Sequence, residues 1–280
     1  MHKLLTANWI RLKKNKLFWA IAICAVFATY LNIFPALANI YNNTTAIHLL
    51  YNMTPPIGLM TALMTAMFIG TEYHDGTMRN KFICGQSRTT VYLAHLLTCF
   101  FATVFFWLLT ILTTLIVGIP LSGLPDHLSS ALPQLFLFGL IGLLLCAVYA
   151  ALCTLLAMLV HNRSFALISV MVLTFVLLFF GMYCQSRLLE PEYYVDYEYW
   201  ITAEGTADIV PGELIKNPLY LTGVKRQLLT FCYDFLPGGQ AVQIADLNVP
   251  HPCQCILYSI GITGAVTLAG LYFFKKKDLR

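Results

Sequence analysis

The sequence predicts an all-α polytopic membrane protein: six transmembrane helices, an interfacial helix at the N-terminus and one short cytoplasmic helix. Three observations carry this. Charged residues make up 11% of the 280 positions, whereas soluble domains carry about a quarter. Hydrophobic residues make up 59%, and the mean hydropathy is +0.72. The apolar residues also gather in long runs without Asp, Glu, Lys or Arg. A run of about 18 such residues is long enough to cross a bilayer.

The elements follow in chain order within a single transmembrane domain, 1–280. Residues 2–16 place Leu5, Trp9 and Leu12 on one face, with Arg11, Lys13, Lys14 and Lys16 adding positive charge. This predicts a helix lying in the interface of a leaflet, where anionic membrane lipid attracts it. The spans are expected at 17–41, 55–71, 92–118, 134–160, 164–184 and 256–274. Pro55 and Pro56 open the second, where a missing N–H does no harm.

Between the second and third spans lies a polar loop, 72–91, dense in Glu72, Asp75, Arg79, Lys81 and Arg88. Asp75-Gly76-Thr77 is turn chemistry leading into a cap. A short helix over 77–84 is expected, with Gly85 ending it and Ser87 capping the next span. A segment of 185–255 precedes the last span. Its nine acids and its aromatic run Tyr193, Tyr194, Tyr197, Tyr199 and Trp200 predict a small folded cap with an interfacial aromatic belt.

Lys and Arg set the orientation. With the N-terminus inside, thirteen of the seventeen basic residues fall on the cytoplasmic side. Both termini and the loop 72–91 are then cytoplasmic, and the tail is 275–280. The net charge of +4 reflects this asymmetry and gives no reason to expect nucleic acid. Cys232, Cys253 and Cys255 lie on the outer side, where a disulfide among them is permitted.

Catalytic signatures are missing. The chain has no HExxH, no GxSxG and no Gly-Lys dipeptide, so no P-loop. His95 falls within a span near its cytoplasmic end and reads as a headgroup-level histidine. LPGGQ at 236–240 looks like an ATPase signature loop but lacks the serine, and reads as a chance match. No charge lies in the spans to carry a coupling ion, so energy for transport would enter from outside the bilayer. Thr61, Thr65, Thr103, Thr110, Thr113 and Thr114 would soften a translocation seam that is otherwise apolar.

The loop carries a resemblance. Glu72, Tyr73, Gly76, Thr77, Arg79, Asn80 and Lys81, then Gly85, Ser87 and Arg88, match the pattern E-Y-x-x-G-T-x-R-N-K followed by G-x-S-R. This resembles the coupling segment of ABC-2-type transporter permeases. The ending FFKKKDLR is similar to that family's basic tail through Phe274, Lys276, Lys277, Asp278 and Leu279. The resemblance implies an ABC-2, type V exporter-like architecture and a permease that is not itself an enzyme. It binds no cofactor in this chain; a cytosolic ABC ATPase partner holds ATP and Mg. A second permease copy is implied, as a homodimer in preference to a heterodimer. The ten loop residues named above are the implied ATPase contacts, with Arg79, Lys81 and Arg88 meeting acidic or carbonyl partners. Bacterial peptide exporters, such as those for lantibiotics or phenol-soluble modulins, are similar in size. The expectation is therefore export of an amphipathic or hydrophobic cargo, an antimicrobial or cytolytic peptide, across a bacterial plasma membrane. Lipid, drug or polysaccharide export is the alternative, and a polytopic sensor without transport the next.

Overall fold

A computed structural model describes residues 2–38, 46–122, 128–160, 162–201 and 207–277. The tail matches Asp278 and Leu279, and the end of the first expected span, lie outside the described residues. The architecture is a helical bundle with one small sheet. Its elements are α1 (His2–Lys14), α2 (Lys16–Ala38), α3 (Ile57–His74), α4 (Thr77–Ile83), α5 (Arg88–Ser122), α6 (Leu128–Leu159), α7 (Arg163–Leu188), β1 (Tyr193–Ile201), β2 (Ala207–Lys216), α8 (Gly223–Phe235), α9 (Pro237–Ala245) and α10 (Pro252–Lys276).

Among the described residues, five helices, α2, α5, α6, α7 and α10, are long and apolar enough to cross a membrane. The chain is thus a multi-pass membrane protein. α3 is not among the five: Glu72, Tyr73 and His74 continue its helix beyond the apolar run. It lies innermost, against α5, α6 and α7, and Ala62, Ala66 and Ile69 are fully buried on it. Gly58 faces the ring of Tyr149 at a distance that leaves no room for a Cβ. Small residues of this kind let membrane helices approach closely.

The fold is not all-α. β1 and β2 form an antiparallel pair, with a one-residue register shift between Val195 and Tyr197. Tyr193, Val195, Tyr197 and Tyr199 recur at every second position, the period of a strand. On the partner strand, Pro211 sits where the register shifts, a position that tolerates a residue without an N–H.

LPGGQ is a packing motif. Pro237 begins α9, and all nine residues of that helix are buried. A Cβ on Gly238 would fall 1.7 Å from the Leu177 carbonyl oxygen of α7, and one on Gly239 2.1 Å from that of Tyr233. The two glycines let α9 lie backbone to backbone against α7 and α8. All nine cysteines are free. The bridge among Cys232, Cys253 and Cys255 is not formed, because the buried Cys255 turns its thiol toward Gln243 instead.

Candidate functional site

The candidate site is the joint where α1, α3, α4 and α5 meet. Gly76 has φ +68°, a left-handed conformation that a side chain disfavours, and so turns the chain sharply from α3 into α4. Gly76, rather than Thr77, holds the N-cap position; Thr77 is the first helical residue and its hydroxyl donates to the Glu72 carbonyl. α4 is about two turns long and ends at Gly85, φ +79°. There the Gly85 N–H bonds to Phe82 O (2.9 Å) and the Gln86 N–H to Lys81 O (3.1 Å), the double closure of a glycine-terminated helix. Ser87 Oγ then accepts the Thr90 N–H (3.2 Å) at the start of α5.

Glu72 is the centre of the joint. Its side chain is fully buried, in the last turn of α3. Arg11 of α1 donates to Oε1, and Lys81 of α4 donates to both oxygens at 2.6 and 2.8 Å. His95 of α5 donates from Nε2 to Oε2 at 2.8 Å. Around this, Lys81 also donates to Asn8 Oδ1 (3.3 Å), and Arg11 to Phe68 O (2.9 Å), its guanidinium 4.0 Å above the Phe68 ring. One carboxylate thus ties four helices together through charge-assisted bonds, which are the strong ones. Burial alone would raise the Glu72 carboxyl; His95, Lys81 and Arg11 instead hold it well below the usual carboxylate range. Burial pulls the Lys81 ammonium down, and Glu72 opposes that.

A second tie joins the chain's last helix to the same end. Arg88 Nη1 donates to the carbonyls of Phe274 (3.3 Å), Lys275 (2.9 Å) and Lys277. These are the open carbonyls at the end of α10, where a cation also meets the negative end of the helix dipole. Lys277 Nζ donates to Met158 O (2.6 Å) and sits 4.6 Å from the Tyr73 ring, while the Tyr73 hydroxyl donates to Met158 O (2.8 Å). Burial pushes the Lys277 amine down to about 8.

The ten loop residues therefore divide. Glu72, Lys81, Arg88 and Tyr73 spend their polar atoms inside the chain. Gly76, Thr77, Arg79, Asn80, Gly85 and Ser87 are exposed. Beside them stands Ile83, 74% exposed although apolar, which sequence reasoning passed over. Met78, on the opposite side of α4, is buried. His95 is fully buried within the chain and aimed at Glu72. The six threonines do not gather on an open surface. Their residues are buried in the bundle, and five of the hydroxyls bond within the chain, mostly to a carbonyl three or four residues earlier. Thr61 also donates to Thr103 (3.1 Å), joining α3 to α5, and Thr113 borders a groove between α2 and α5.

The family model described as ABC-2 family transporter protein matches residues 4–181, more than half of the chain and the whole of this joint. The search of the curated proteins found no match.

Proposed function

Because this chain belongs to the ABC-2 transporter family and is its membrane-embedded permease component, we propose that α4 is the handle by which a cytosolic ABC ATPase moves the bundle. The carrying observation is the two-sidedness of α4. One face is fixed to α1, α3 and α5 through Lys81, Glu72 and Met78; the other presents Arg79, Asn80 and the exposed Ile83. An apolar knob flanked by polar groups on a short rigid helix suits a groove on a partner protein. When two ATPases close on ATP, a displacement of α4 passes through Glu72 to α1, α3 and α5 as a unit, and through Arg88 to α10. ATP binding then drives the transition by favouring one arrangement over the other.

The topology we propose has six crossings, with α3 as the sixth. Arg11 in α1 and Lys277 after α10 both contact residues at the same end of α3. A chain that starts and finishes at one end of a bundle must cross it an even number of times. Positive charge concentrates at that end, so it faces the cytoplasm, with both termini. The Glu72 end of the chain would thus meet the ATPase, and ATP with Mg would be bound there, not here.

The permease works as a dimer, in preference a homodimer, in a bacterial plasma membrane, and exports an amphipathic or hydrophobic cargo, an antimicrobial or cytolytic peptide. Supporting an apolar cargo is the groove of about 500 Å³ between α2 and α5, lined by Trp19, Ile23, Phe27, Tyr30, Phe105 and Leu109. The test is co-purification of the ATPase with the permease from native membranes. Ile83→Asp combined with Arg79→Glu should release the ATPase at least tenfold faster while the permease stays folded. Retention equal to wild type would refute the handle.

A further inference from the structure

Between α7 and α8, at the end of the bundle opposite Glu72, stands the β1–β2 hairpin. Its sheet has two strands, and among the described residues neither packs on a helix beyond isolated contacts. Tyr193, Leu214 and Ile215 are 50%, 69% and 40% exposed although apolar. A lone two-stranded hairpin is marginally stable in water; a third strand or a covering helix is what such a sheet lacks. The two outer edges are unlike. β2 is interrupted, because Pro211 has no N–H to offer and the step from Leu214 to Pro211 takes one residue more than the step from Val195 to Tyr197 opposite. A proline and an extra residue are devices that close an edge to further pairing. β1 has neither. Its nine residues, Tyr193–Ile201, include no Pro and no Gly and are mostly aromatic or β-branched. Every second N–H and C=O of β1 points away from β2, and these find no backbone partner among the described residues.

Charge says which strand would add there. Residues 190–216 carry seven acids and one base, Lys216. The register sets Tyr194 opposite Ile215, so Asp196 and Glu213, each two residues further along, share one face of the hairpin. Both are exposed, and neither has a hydrogen-bond or ion-pair partner among the described residues. Like charges set together on one face of a sheet repel. The other face at the same level is apolar, with Tyr193, Val195 and Leu214. A second copy of β1 added with its faces continuous would bring acid against acid. A strand with basic residues at alternate positions instead brings cation to carboxylate and apolar to apolar. We propose that the outer edge of β1 takes an extended segment of a cationic amphipathic peptide as a third strand. Backbone pairing supplies the affinity, and the alternation of basic and apolar residues supplies the selectivity. The inference concerns binding alone, and rests neither on α4 as a handle nor on the choice of cargo.

The test uses the full chain in phosphatidylcholine nanodiscs, which carry no net charge, without any ATPase. Fluorescence anisotropy follows a labelled peptide of about eight residues, a usual strand length, alternating lysine and valine. Wild type should bind it at least tenfold more tightly than a peptide alternating glutamate and valine. Asp196→Lys with Glu213→Lys changes two exposed positions and should abolish that preference, with the melting temperature reporting that the chain stays folded. In an added strand the lysine amides point to one edge and the valine amides to the other. N-methylation of one set should therefore weaken binding at least tenfold, and of the other set little. Equal binding of the two unmethylated peptides by wild type would overturn the proposal without any variant. So would equal tolerance of the two methylated peptides, or an unchanged preference in the folded double variant. A disulfide between two Asp196→Cys chains that saturating peptide does not suppress would give the edge to a second copy and likewise overturn it.

Discussion

At the scale of single residues, Glu72 decides whether the joint holds. Removing it leaves Arg11 and Lys81 as neighbouring cations, Lys81 largely buried, with His95 facing them. Breaking a buried ion pair from one side commonly costs about 3–5 kcal/mol; Arg11 is partly exposed, so Glu72→Ala should destabilise by about 3 kcal/mol, and Glu72→Gln by less. Thermal unfolding in nanodiscs measures this. The pH dependence has a sign. A carboxyl depressed by folding adds stability above its ordinary value, about 4.3, and loses it as pH falls further. Wild type should therefore weaken below that pH more steeply than Glu72→Gln; parallel curves would contradict the ion cluster. Lys277 runs the other way. Its folded value of about 8 lies below that of an ordinary lysine, so its burial opposes folding below pH 8, and the penalty fades between there and about 10.4. Peptide-resolved acylation should titrate Lys277 with a midpoint near 8. None of these partnerships was legible in the sequence. Asn8, Glu72, Lys81 and His95 lie up to 87 positions apart, and the loop's charges read as a surface until the fold turned four of its polar residues inward.

At the scale of elements, the apolar runs were legible because the spans carry no charge, and a charge-free run cannot be solvated otherwise. Their ends were less legible. α3 runs on to His74 and α5 starts at Arg88 because Glu72 and Arg88 find partners within the chain, so charge did not mark a boundary there. The β1–β2 hairpin carried a period-two signal in Tyr193, Val195, Tyr197 and Tyr199, obscured by reading aromatic residues near a membrane as a belt. α9 gives the sharpest test at this scale. Gly238→Ala places a methyl group on the Leu177 carbonyl, and overpacking of a closed contact costs about 1–3 kcal/mol or more. Gly261→Ala, in α10 with nothing within 4 Å of its Cβ, should stabilise slightly. A melting temperature unchanged by Gly238→Ala would contradict the backbone contact between α7 and α9.

At the scale of the whole molecule, the account joins one end, where α1, α4 and the close of α10 are clamped together, to another built from the hairpin, α8 and α9. The native cysteines report on both, since Cys84 at the end of α4 and Cys253 at the start of α10 are exposed. A membrane-impermeant maleimide on intact cells should label Cys253 and spare Cys84, and inverted vesicles should reverse the pattern. The central claim, that α4 is gripped by a cytosolic ATPase, is tested most directly by thiol cross-linking from Cys84 in native membranes, with Cys84→Ser as the control. A cross-link to an ABC ATPase that weakens when ATP drives the transport cycle is the predicted result. Labelling of Cys84 from the outside of intact cells, or a full-strength ATPase complex in which Cys84 reaches only lipid and solvent, would contradict it.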